Sequence, residues 1–437
     1  MVSYQDLHDC RVHQWKKAAD DWVALSRRSE TAAEDIRAQG KKPLDEHWAD
    51  ATGKKAGKRL EDIANRLEAG GDITKGVAMV LDGLTHSMEW AQRTLHHAVE
   101  LANEYGLHIQ DGRAVGLFTG VGAPAAGPDV PQDVRDACTK ESAHVAEVNG
   151  LIEEALRQAA QADEKAAGEL VKLAKAVGVS NTSEAHNEIE VETSHVELDM
   201  LKGDIPDGKN PQLVRAWWSG LTSKQQQDLM RAVPVTLADL GGLPKGVYAE
   251  LQGRDGKIDR VEMVRYALDH WDKKDDLDYG DAQGNCTNFV SSALEAGGME
   301  EKVDDWWGLQ GSNTWGRQKD ATGFDWVDKR VFHSDSWARA EALQNFLLRN
   351  GSEEVSRSEA RPGDIVFYEQ VAPGTSTDQG ETHHAAVVTA VTPDGDIKLT
   401  QHTSNLQNVS LDSRLHVADR NDGEQRIRIV RPKPDWY

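Results

Sequence analysis

Residues Gly284-Asn285-Cys286-Thr287-Asn288-Phe289-Val290-Ser291-Ser292-Ala293-Leu294 place a thiol where a glycine-containing loop turns into a helix. After Cys286 the apolar residues Phe289, Val290, Ala293 and Leu294 recur at the spacing of one helical face. Gly297-Gly298 then supplies a helix stop. A thiol in the first turn of a helix sees the positive end of the macrodipole, which favours thiolate. The thiolate is the nucleophile, so this placement prepares Cys286 for attack on a carbonyl carbon.

Such a nucleophile needs a base, and the stretch about a hundred residues downstream offers one. Thr382-His383-His384 opens a strand that runs through Ala385-Ala386-Val387-Val388 to Val391, and Asp396 to His402 returns as its partner. Pro393-Asp394-Gly395 between them fits a three-residue hairpin loop with Gly395 in the left-handed conformation. That register pairs Thr392 with Asp396, Thr400 with Val388 and His402 with Ala386. His402 then becomes the diagonal neighbour of His384 on one sheet face. A two-residue loop would put Gln401 on that face instead. Either way the histidine gains a polar partner, the third member of a Cys-His-polar arrangement. His383 should face away from His384 as a flanking surface residue. Zinc held by His383, His384, His402 and Cys286 is disfavoured, because adjacent strand histidines point to opposite faces. No metal or cofactor is expected.

The elements that must carry these side chains follow from pattern. Val261, Val264, Ala267, Leu268 and Trp271 trace one helix face, and an acidic loop at 275–280 leads to Cys286. Ala342, Leu343, Phe346 and Leu347 mark another helix. Arg361-Pro362-Gly363-Asp364 turns into a strand, Ile365-Val366-Phe367-Tyr368. Helices first and an antiparallel sheet afterwards predict an α+β domain over 256–437. Residues 1–120 predict a helical hairpin or bundle. Its Leu60-Ile63-Ala64-Leu67 pattern breaks at Gly70-Gly71, ahead of a second run through Val77, Leu84 and Leu95. Residues 121–203 read as a helix and an acidic linker, and 204–255 as a connector carrying the Trp217-Trp218 pair.

Composition narrows the possible partners. The 437 residues carry a net charge of −23, from 50 basic and 73 acidic side chains, which disfavours nucleic acid. Three scattered cysteines do not make a disulfide framework. No apolar run is long enough to span a membrane. The N-terminus lacks a signal-peptide pattern, so export is expected by another route, with cytoplasmic residence left open.

Taken together, Gly-Asn-Cys-Thr-Asn-Phe-Val-Ser, Arg-Pro-Gly-Asp-Ile-Val-Phe-Tyr and His-His-Ala-Ala-Val-Val-Thr resemble the bacterial putative-amidase domain family. The resemblance runs from about 260 to 415. It implies a papain-like, NlpC-type cysteine hydrolase fold with Cys286 as nucleophile, His384 as general base and then acid, and His402 as orienting residue. It also implies an oxyanion donor in the Cys286 N–H, with a second from Tyr279 or Gln283. Asn285, Gln401 and Trp337 are candidate substrate contacts, and Trp306, Trp307, Trp315 and Trp326 candidate groove walls. Where the family often has Gly-Asp-Cys and an acid before the histidine, this chain has Asn285 and His383. The implied reaction is amide cleavage through a thioester, on peptidoglycan peptides or a protein amide. Two alternatives accompany it: a toxin-like effector with this hydrolase as its warhead, and an inactive binding module. The Trp48-Ala49-Asp50 stretch resembles the Trp-x-Gly turn of helical-hairpin proteins exported by type VII secretion, with Asp50 where that motif has Gly. It implies secretion machinery or a helical partner. The pattern from Trp217-Trp218 to Leu243-Pro244 resembles a connector ahead of hydrolase domains in secreted-type bacterial proteins.

Overall fold

A computed structural model describes residues 2–118, 130–176, 195–253, 256–273, 285–303, 309–318, 332–372, 377–403, 405–412 and 423–437. The chain forms two units. One is Met1–Gln226 with Gly241–Leu243, and the other is Gln227–Leu240 with Pro244–Tyr437. The stretch expected as a connector is thus divided between them.

The first unit is helical, built on α1 (His13–Asp35), α2 (Ala51–Glu104) and α3 (Gln132–Ala176). Gly70-Gly71 does not break it: both residues lie inside α2, a single helix of 54 residues. The reason is a seam of small side chains. Ala19, Ser26 and Ala33 of α1 recur every seventh residue, as do Ala64, Gly71 and Ala78 of α2, and all six are buried. The Ser26 hydroxyl donates to the Gly71 carbonyl at 2.9 Å. In an antiparallel pair centred on that contact, heptad spacing brings Ala19 level with Ala78 and Ala33 level with Ala64. Glycine here permits close approach of two helices and makes no turn. The chain reverses instead between α1 and α2, through 36–50. There Asp50 caps α2, accepting from the Thr52 and Gly53 N–H groups at 2.8 and 2.9 Å.

The second unit carries a six-stranded sheet of β1 (Glu353–Val355), β2 (Ile365–Gln370), β3 (Thr382–Val391), β4 (Ile397–Gln401), β5 (Leu406–Ser410) and β6 (Gln425–Arg431). Its order is β1-β6-β2-β3-β4-β5, antiparallel throughout, so the last strand inserts between the first two. Three helices contribute to the same core: α4 (Arg260–His270), α5 (Cys286–Ala296) and α6 (Ala340–Arg349). Met263, Phe289, Val290, Ala293, Leu343 and Phe346 meet Ile365, Phe367, Ala385 and Val387 there. Burying each large side chain contributes about 1.5–3 kcal/mol, which seats α5 firmly against β3. No helix among the described residues is long and apolar enough to cross a membrane.

The hairpin between β3 and β4 closes as its sequence predicts. Thr392 N–H donates to Asp396 O at 3.0 Å, and Gly395 has φ 96°. Further along, however, Thr389 is an extra residue. Ala390 pairs with Lys398, but Val388 pairs with Leu399 and Val387 with Thr400. This bulge shifts the register by one, so Thr400 sits opposite Val387 rather than Val388. The Thr389 hydroxyl is held by the Thr400 hydroxyl at 3.0 Å and the Asn408 side chain at 2.7 Å.

Candidate active site

Cys286 is the first residue of α5 and is 5% exposed. At that position its N–H has no acceptor within the helix. Asn285, just before it, donates its N–H to the Thr403 hydroxyl at 3.0 Å. Thr403 follows β4 and holds φ 70°, a conformation rare for a β-branched residue. The start of α5 is thereby tied to the end of the sheet that carries His384.

Cys286 and His384 come close enough for the imidazole to act on the thiol, as do the Ala385 N–H and the Thr287 hydroxyl. The Thr287 oxygen lies 3.8 Å away. Burial, the largest single influence, pushes the thiol up. The charge and hydrogen bond of His384, with the Ala385 and Thr287 contacts, more than offset it. The thiol settles at about 7, below its ordinary 9.0. A buried cysteine is normally inert; this one is held ready to ionise at neutral pH.

His384 pairs across the sheet with Tyr368, whose ring meets the imidazole edge-on at 5.4 Å. The sequence pattern marks Tyr368 only as part of a strand. Its contact was not visible in the sequence because it depends on which residues the β2–β3 register sets opposite each other. That register carries its own irregularity: Tyr368 pairs with His384 but Glu369 pairs with Thr382, leaving His383 as the extra residue. His383 turns to Gln425, 2.8 Å from the side-chain oxygen, and so stands apart from the thiol as expected, though it is partly buried.

His402, expected as the orienting residue, makes no hydrogen bond to His384 among the described residues. Its Nε2 lies 3.2 Å from the Lys273 carbonyl and its ring 6.0 Å from that of Phe289. Its Nδ1 is buried with no hydrogen-bond partner among the described residues. The bulge at Thr389 accounts for this, since the shift takes His402 out of register with Ala386. Gln401 is buried and donates to the Thr403 carbonyl at 3.2 Å. Trp337 is fully buried in the core, 5.0 Å from the Trp315 ring, with the Arg317 guanidinium 4.7 Å above it. Neither Trp337 nor Trp315 is placed to meet a substrate. Both pack Ser291 of α5, which donates to the Trp337 carbonyl at 2.9 Å and accepts from the Trp315 indole at 3.3 Å. Tyr279, Gln283, Trp306, Trp307 and Trp326 lie outside the described residues.

Known proteins resemble parts of this chain. The family described as "Putative amidase domain" matches residues 257–427. An uncharacterized protein of Bacillus subtilis, YhbB, is 30% identical over 146 residues, which cover 32% of this chain and 40% of that protein. The chain therefore spans well under half of that curated relative. No solved structure matches the chain. Over 257–427 the protein carries a match to putative amidase domains, and that match points to amidohydrolase activity in general.

Proposed function

We propose that the second unit is a cysteine amidohydrolase of papain-like, NlpC type, with Cys286 as nucleophile and His384 as its base. What supports this reading is a thiol at a helix start beside an imidazole whose influence helps lower it to about 7. His384 takes the thiol proton, and the sulfur attacks the amide carbon as the C=O electrons move onto oxygen. The Cys286 N–H meets that oxyanion. The intermediate collapses, the C–N bond breaks, and the leaving nitrogen takes the proton from His384. Water then attacks the thioester, giving one proton to His384. The acid leaves, and thiolate and imidazolium are restored. His402 has no step in this scheme.

Peptidoglycan stem peptides or a protein amide are the substrates we propose. Incubating wild type and Cys286→Ala with peptidoglycan and with peptide libraries, followed by mass spectrometry, tests the reading. Cleavage by wild type alone supports it; equal cleavage by the variant overturns it.

A second reading concerns delivery. Trp48 lies between α1 and α2, where the helical hairpin reverses, and Asp50 caps the following helix. This supports export of the chain as an effector through a type VII-like route. Wild-type secretion by a Trp48→Ala variant in cells with such a system would count against it.

A further inference from the structure

The Arg361-Pro362-Gly363-Asp364 turn does more than start β2. Beside it, among residues of the second unit alone, is a cavity of about 560 Å³. Four arginines line it: Arg231, Arg260, Arg361 and Arg431. Gathering four guanidinium groups in a protein of net charge −23 needs a reason.

Asp364 supplies part of one. Fully buried, it accepts from Arg260 at 3.3 Å and from Arg431 Nε and Nη2 at 3.0 and 2.9 Å. That carboxylate is shared by two of the four guanidinium groups, and neither of the other two donates to it from its side chain. Arg231 donates from Nη2 to the Ala360 carbonyl at 3.1 Å, while its Nε is buried with no hydrogen-bond partner among the described residues. Among those residues, neither Arg231 nor Arg361 forms an ion pair within 4 Å. Glu250 and Glu359 also line the cavity; the Glu359 carboxylate accepts from the Ser356 N–H and hydroxyl at 3.2 and 2.6 Å and is also attracted by Arg431 and Arg361. Burial disfavours the charged forms of both Arg231 and Arg260 and the charge of Arg361 adds to it, while Asp364 acts on both in the opposite sense, joined at Arg231 by Asp228.

An anion would relieve the repulsion from Arg361 and satisfy the buried Nε. Guanidinium forks match oxyanions, and donors converging from several walls suit a tetrahedral group better than a planar carboxylate. The volume is that of a small-molecule site, and Met230 and Leu251 give it apolar wall. We propose that this cavity binds a small, free phosphate-bearing anion through Arg231 and Arg361, with Arg260 and Arg431 completing the positive wall. Neither Cys286 nor His384 lines it, so the proposal stands apart from the amidase reading.

Calorimetric titration of the full chain with inorganic pyrophosphate tests it. Saturable binding is expected, weakened by added salt. Arg231→Gln and Arg361→Gln should each weaken it by about tenfold or more. Both variants should keep the wild-type rate of Cys286 alkylation, which shows that the unit remains folded. Citrate, and phosphatidylcholine vesicles containing phosphatidic acid, are titrated in parallel. Absence of saturable pyrophosphate binding, unchanged binding by both variants, tighter binding of citrate, or binding of the vesicles alone would each overturn the proposal.

Discussion

Replacing His384 by Ala should raise the titration of the Cys286 thiol from about 7 toward its ordinary 9.0. The removed imidazole supplies the strongest forces opposing burial, and burial itself remains. At pH 7 the wild-type thiol is about half ionised, whereas a thiol at 9 is about 1% ionised, a loss of about fiftyfold in thiolate. A more basic thiolate is also intrinsically more reactive, which returns about eightfold over two units. The net loss in alkylation rate at pH 7 is therefore only about five- to tenfold, and the midpoint of the pH profile is the decisive readout. Iodoacetamide labelling mapped to the Cys286 peptide, in a Cys10→Ser, Cys138→Ser background, gives that midpoint directly. A wild-type midpoint near 7 that moves up toward 9 in His384→Ala is expected. A wild-type midpoint near 9, or one unmoved by the substitution, would refute the pairing.

The structural findings carry predictions of their own. Gly70→Ala should stabilise the first unit by about 0.8–1 kcal/mol, since Gly70 is mid-helix with open space where a Cβ would go; destabilisation in urea unfolding would restore the turn to Gly70-Gly71. Gly71→Leu should instead cost about 1–3 kcal/mol by forcing apart the seam at Ser26 and Ser29. Asp364→Ala should destabilise the second unit by about 3–5 kcal/mol, because it strands Arg260 and Arg431; a loss under about 1 kcal/mol would mean the pair of ion pairs is not formed in solution.

Much of the site was legible in local pattern. The thiol at a helix start, the His384 strand and the Thr392–Asp396 turn follow from spacing and turn chemistry, and all three take the expected form. What failed depended on partners distant in sequence. The bulge at Thr389 is fixed by the Thr400 and Asn408 side chains on the neighbouring strands, and one extra residue was enough to send His402 to Lys273. Gly70-Gly71 looked like punctuation because the small-residue seam on α1 becomes meaningful only once the two helices are paired. Trp337 is a plausible substrate contact by type alone, and only its packing on Trp315 and Arg317 places it in the core. The final strand, inserted between β1 and β2, had no signal in the order of elements.

The central claim is that the Cys286 sulfur becomes covalently acylated during amide cleavage. Rapid acid quenching of the wild-type protein during turnover of a cleaved peptide, followed by mass spectrometry of the Cys286 peptide, measures it. The account predicts added acyl mass on that peptide, removable by hydroxylamine and absent from Cys286→Ala. Turnover with no acyl mass on Cys286 at any quench time, or turnover that persists in Cys286→Ala, would contradict it.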